Sequence, residues 1–113
     1  MAEELVYNLS QLEELAGGNT EFVNTMVETF LQYTPGQLQE ILEAYKASDM
    51  HTVGSVAHKI KPNIELFGIN SIKQDIRIVE EKGKKNSNDA ELAESIKRVE
   101  SYLKVAFNQL QQR

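Results

Sequence analysis

The sequence contains no cysteine and no tryptophan, and it has only two prolines and six glycines. Without cysteine, the chain can form neither a disulfide nor a cysteine-ligated zinc site. Positive charge is also scarce, since 12 Lys and Arg residues stand against 17 Asp and Glu residues and leave a net charge of −5. An acidic chain of this kind lacks the basic face that binding to nucleic acid or to an anionic membrane requires.

Long apolar runs are missing as well. No stretch approaches the ~20 residues that span a bilayer, and residues 1–5 are acidic rather than basic as in a signal peptide. A length of 113 residues suits one compact domain. We therefore expect a single domain over residues 1–113, located in the cytoplasm and most simply a monomer.

Apolar residues recur at helical spacing along almost the whole chain. The stripes predict five helical segments, at residues 8–17, 19–48, 49–68, 70–83 and 88–110. Short polar loops between long amphipathic helices favour antiparallel neighbours. We therefore predict an all-α fold, an antiparallel up-and-down four-helix bundle with a short extra N-terminal helix.

Residues typical of helix ends support these boundaries. Asn8 and Asn88 open capping-box patterns, and Asn19 and Asp49 stand where N-cap residues are expected. Gly68 follows the third segment, in the position where a left-handed C-cap favours glycine.

The two prolines fall inside predicted helices, where proline costs about 3 kcal/mol. Pro35 marks either a kink or a restart of the second helix. Around Pro62, the apolar stripe of Ile60, Ile64 and Phe67 is unbroken, which predicts a continuous but bent helix.

The third segment has an unusual solvent side. Its apolar stripe centres on Val53, Ala57, Ile60 and Ile64. At ~100° per residue, the opposite side, here called the histidine face, holds His51, Gly54, Ser55, His58, Pro62 and Glu65, with Lys61 at its border. Glycine and proline disfavour a helix, so an ordinary solvated surface would not select them.

His58 is the candidate reactive group on this face. Small residues three and four positions before it leave the imidazole uncovered, and Lys59 and Lys61 follow it. A neutral imidazole nitrogen is a nucleophile, and a nearby ammonium group can neutralise a phosphoryl group held on it. The local pattern by itself also fits an ordinary surface histidine, and we interpret His51 as one.

Residues 57–68, with the sequence AHKIKPNIELFG, resemble the signature of histidine phosphotransfer (HPt) domains of bacterial phosphorelays. That signature has the form A-H-x-[LI]-K-[GS]-x(5)-G. The positions that agree with it are Ala57, His58, Ile60, Lys61 and Gly68, whereas Pro62 stands where most members have Gly or Ser. The likeness extends over most of the chain, including Phe22 and the Thr34-Pro35 pair.

The resemblance implies that His58 accepts a phosphoryl group from an aspartyl phosphate on one receiver domain and passes it to an aspartate on another. Such receivers belong to response regulators or to a hybrid sensor kinase. Lys61 would neutralise phosphoryl charge, with Lys59 a weaker candidate. In this family the following helix often places a polar or basic residue near the phosphoryl group, and Gln74, Arg77 and Lys84 are equal candidates for that residue here. We expect the partner to dock on Gly54, Ser55, Lys59, Pro62 and Glu65.

The resemblance implies neither a cofactor nor an enzyme, since Mg²⁺ and the catalytic pocket would belong to the partner. The sequence offers no glycine-rich phosphate loop and no Ser/His/Asp spacing. Adjacent carboxylates such as Glu80 and Glu81 diverge around a helix, so we interpret them as solvated surface. The competing function is a phosphorylation-independent helical adaptor that docks a partner through the histidine face.

Overall fold

The computed structural model describes residues 4–113, so the first three residues of the acidic opening segment lie outside it. Five α-helices follow one another, and a 3₁₀ turn at Asn70–Ile72 leads into the fourth. The helices are α1 at Ser10–Ala16, α2 at Thr20–Lys46, α3 at Met50–Leu66, α4 at Lys73–Lys84 and α5 at Ala90–Gln111. The all-α prediction is therefore confirmed.

Helices α2 to α5 pack in chain order around one core. The main contacts join α2 to α3, α3 to α4, α4 to α5 and α5 back to α2, while α1 packs on α2. Leucine, isoleucine and valine from all four long helices fill the interior, together with a stacked Phe30–Phe67 pair whose ring centroids are 4.2 Å apart. No helix within residues 4–113 has the length and apolarity needed to cross a bilayer.

Both prolines lie inside continuous helices. Pro35 is within α2 and Pro62 is within α3, so neither helix restarts at its proline. The continuity of α3 through Pro62 is confirmed, and its bend stays a prediction.

The helix ends largely follow the capping residues. The side chains of Asn19 and Asp49 accept hydrogen bonds from main-chain amides three residues on. In the last helix Asp89, rather than Asn88, is the N-cap residue. The Asn8 side chain accepts from the Ser10 amide, two residues on, instead of forming the predicted capping box.

Gly68 ends α3 in the left-handed conformation, with φ of 61°. A β-carbon there would collide with the main-chain oxygen of Asn8. The main-chain amide of Asn8 donates a hydrogen bond to the Phe67 carbonyl at 3.0 Å. The glycine therefore allows the N-terminal segment to cross close over the end of α3.

Gly54 is not on the exposed surface, and this corrects its assignment to the histidine face. It is buried where α3 crosses α4, next to Gly83. Its angular position lies at the edge of that face, and the missing side chain lets α4 approach and cover it. The prediction that Gly54 is exposed on the histidine face is therefore wrong.

Candidate functional site

His58 lies in the middle of α3 and its side chain is 62% exposed. Ile60 and Ile64, on the other side of the same helix, are completely buried. The predicted exposure of the imidazole is therefore confirmed, and a partner group can reach the ring from solvent.

A carboxylate from the next helix holds one nitrogen of this ring. The Nδ1 atom of His58 lies 2.6 Å from Oε2 of Glu80 on α4. A carboxylate only accepts hydrogen bonds, so Nδ1 carries the proton and, in the neutral ring, Nε2 carries the lone pair. No hydrogen-bond partner of Nε2 is found within residues 4–113. The imidazole is therefore held in its nucleophilic tautomer with Nε2 available.

Two lysines share the same carboxylate. Lys61 Nζ lies 2.6 Å from Oε1 of Glu80, and Lys84 Nζ lies 2.7 Å from Oε2. We call Glu80, His58, Lys61 and Lys84 the Glu80 cluster. With neutral histidine the Glu80 cluster carries one net positive charge, because two ammonium groups face one carboxylate. Such a site attracts an anionic phosphoryl group.

Glu80 is ionised over the whole ordinary pH range. Its side chain is only 9% exposed, and burial by itself raises the pKa of a carboxyl group. Hydrogen bonds from Lys61, Lys84 and His58 outweigh that effect and lower the Glu80 pKa to about 2.

The interpretation of Glu80 and Glu81 as solvated surface is wrong for Glu80. The two side chains do diverge, and Glu81 is exposed and pairs with Lys85 at 2.7 Å. Glu80 instead points into the α3–α4 contact, because its position borders the apolar stripe of Ile76, Val79 and Gly83. A carboxylate beside a buried stripe must find cationic partners, and that signal was present in the sequence.

The structure distinguishes among the three candidates on α4. Lys84 belongs to the Glu80 cluster, whereas Arg77 pairs with Glu65 at 3.4 Å. The Gln74 side chain is exposed and makes no hydrogen bond within residues 4–113. Of the three, Lys84 is therefore the residue that α4 brings towards His58.

The remaining docking candidates surround His58 on α3. Ser55, Lys59 and Pro62 are exposed, and Glu65 is partly exposed and held by Arg77. His51 is exposed two turns before His58. Within residues 4–113, no group of three or more His, Cys, Asp or Glu side chains is placed to hold a metal ion.

Comparison with known families agrees with this geometry. The family model of the Hpt domain matches residues 25–113, which is more than three quarters of the chain. No curated protein and no solved structure gives a significant match. The match begins within α2, includes the whole of α3 with its exposed histidine, and continues through α5. This chain belongs to the Hpt domain family.

Proposed function

We propose that this protein is a phosphocarrier of a two-component phosphorelay, with His58 as the residue that holds the phosphoryl group. The observation that carries the proposal is the contact between Nδ1 of His58 and the Glu80 carboxylate, which leaves Nε2 as an exposed nucleophile. Family membership supports the same reaction, because Hpt domains serve histidine phosphotransfer in phosphorelays.

The transfer begins with Nε2 attack on the phosphorus of an aspartyl phosphate on a receiver domain. A P–N bond forms while the P–O bond to the aspartate breaks, and the aspartate carboxylate leaves with the electron pair. The ring becomes cationic, and Glu80 stabilises it through the proton that stays on Nδ1. The reverse sequence delivers the phosphoryl group to the aspartate of a second receiver.

Lys61 and Lys84 supply the positive charge for this step. Both ammonium groups contact the Glu80 carboxylate, which also contacts the imidazole. We assign Lys61 the main role in neutralising phosphoryl charge, since it is on the same helix as His58, and Lys84 an assisting role. Lys59, exposed beside His58, is a weaker contributor.

Mg²⁺ and the acidic pocket that phosphoryl transfer requires belong to the receiver in this proposal, so the chain is a carrier and not an enzyme. The receiver docks over His58 and contacts Ser55, Lys59, Pro62 and Glu65, burying on the order of 1,000 Å² as in transient signalling contacts. We propose further that residues 1–113 act as one monomeric domain in the cytoplasm, where receivers of response regulators or of a hybrid sensor kinase are available.

The deciding experiment incubates the protein with a radiolabelled phosphorylated receiver and Mg²⁺. We expect the protein to gain a label that is lost in acid and stable in base, because a phosphoramidate hydrolyses readily in acid. His58→Gln should gain none and stay folded, since the replaced side chain is 62% exposed and Lys61 and Lys84 still pair with the Glu80 carboxylate.

His51→Gln is the matched control, since it removes the other exposed histidine and should label normally. Label on His58→Gln would contradict the assignment of the residue. A receiver that binds the protein without transferring phosphate would identify the phosphorylation-independent adaptor instead.

A further inference from the structure

The backbones of α3 and α4 approach each other closely one helical turn from the His58–Glu80 contact. Gly54 of α3 meets Gly83 of α4 there, and both glycines are buried. A β-carbon on Gly54 would lie 2.8 Å from the Lys84 amide nitrogen and 3.1 Å from the Glu80 carbonyl oxygen. A β-carbon on Gly83 would collide with the backbone of Gly54 itself.

Neither glycine has a positive φ. The crossing therefore requires the absence of a side chain at these positions, and not a backbone conformation that only glycine adopts.

The crossing and the site share one face of each helix. His58 follows Gly54 by four residues on α3, and Glu80 precedes Gly83 by three residues on antiparallel α4. Residues spaced three or four apart lie above one another on a helix. The separation of the two helices at the glycines therefore sets how far the Glu80 carboxylate must reach to the imidazole.

We propose that Gly54 and Gly83 are positioning residues for phosphoryl acceptance, because their close crossing brings Glu80 within hydrogen-bonding distance of His58. The inference rests on the proposed phosphocarrier function. Neither glycine contacts the phosphoryl group, and the tautomer of His58 depends on the spacing of the two helices.

The geometry predicts a graded effect of added β-carbons. Non-bonded atoms pack at about 3.5 Å, so alanine at position 54 forces a separation of about 0.7 Å and alanine at position 83 forces about 1 Å or more. The His58–Glu80 contact is 2.6 Å long. An increase of about 1 Å takes it beyond the ~3.2 Å limit of a good hydrogen bond. Gly83→Ala should therefore stretch the contact to about 3.6 Å and break it, whereas Gly54→Ala should stretch it to about 3.3 Å, close to the limit of a good hydrogen bond, and weaken it.

The test measures the tautomer and the reactivity of His58 in the same samples. Long-range ¹H–¹⁵N spectra report which ring nitrogen carries the proton, and exposed His51 is the internal reference. Reactivity is measured with potassium phosphoramidate, which donates its phosphoryl group to imidazole nitrogen and releases ammonia, so no partner protein is needed. We expect the Nδ1–H tautomer in the wild-type protein. In Gly83→Ala we expect a mixture of tautomers, and labelling of His58 about tenfold slower than in the wild-type protein.

Gly36→Ala is the matched control, because Gly36 is also helical and a β-carbon there meets open space. It should keep both the tautomer and the labelling rate. A folded Gly83→Ala variant that behaves like Gly36→Ala would overturn the proposal.

If Gly83→Ala does not fold by circular dichroism, the same measurements on Gly54→Ala decide. Failure of both variants to fold would also overturn the proposal, since the crossing would then serve folding alone. A wild-type protein that shows the Nδ1–H tautomer but gains no phosphate would refute the proposed function, while the change of tautomer in the variants would still test the role of the glycines.

Discussion

Replacement of Glu80 is the most direct perturbation of the site. Glu80→Ala removes the acceptor that holds Nδ1 of His58 and leaves the imidazole itself intact. A hydrogen bond to a charged group contributes about 1.5–3 kcal/mol. We expect the lower end, because the His58 ring is 62% exposed and water replaces part of the interaction. If the transition state loses about 1.5 kcal/mol of stabilisation, phosphoryl acceptance becomes about tenfold slower.

Glu80→Gln should fall between Glu80→Ala and the wild-type protein. The amide oxygen still accepts from Nδ1, but a neutral acceptor makes a hydrogen bond about half as strong. We therefore expect acceptance about threefold slower than in the wild-type protein. The variant also frees Lys61 and Lys84 from the carboxylate. Its phosphohistidine should therefore hydrolyse no faster than the wild-type one, because both ammonium groups can then contact the phosphoryl group.

The assay follows the initial rate of label transfer from a phosphorylated receiver at saturating Mg²⁺, together with the ¹⁵N spectrum of His58. Glu81→Ala is the matched control, since Glu81 is the neighbouring carboxylate and pairs with its own lysine four residues on, away from His58. Acceptance by Glu80→Ala at the rate of Glu81→Ala would refute the argument that Glu80 orients the imidazole.

Three further predictions concern charge and packing. Because the Glu80 pKa is lowered from 4.5 to about 2, its charge stabilises the fold above pH 4.5, and the effect is lost as pH falls towards 2. In urea unfolding at pH 6, the free energy of unfolding of the wild-type protein should exceed that of Glu80→Gln by about 1–2 kcal/mol, and at pH 2.5 the difference should be much smaller. A difference that does not change with pH would contradict this prediction. Lys61→Ala should slow transfer or shorten the phosphohistidine lifetime about five- to tenfold in the label assay, and an unchanged rate would assign the charge role elsewhere. Gly68→Ala, at φ of 61° and against the Asn8 main chain, should lower the free energy of unfolding by about 2 kcal/mol or more, whereas Gly36→Ala should not lower it.

Much of the fold follows from local rules. The period of the apolar residues locates every helix, and Asn19, Asp49 and Gly68 mark three helix ends through hydrogen-bonding and backbone preferences that act within a few residues. Helical periodicity also places His58 on the solvent side, because a face opposite buried Ile60 and Ile64 must point outward. Each of these features depends only on residues within one helix or at its ends.

The partners of His58 are decided between helices. Glu80 lies 22 residues away along the chain, and only the antiparallel crossing of α3 and α4 brings its carboxylate to the imidazole. The same crossing buries Gly54, although helical periodicity predicts it on the exposed histidine face. Periodicity gives the direction of a side chain around its own helix, but it contains no information on how closely the next helix approaches. The helices and the exposed histidine can therefore be predicted from the sequence, whereas the nitrogen of that histidine that is free to react depends on the packing of α3 against α4.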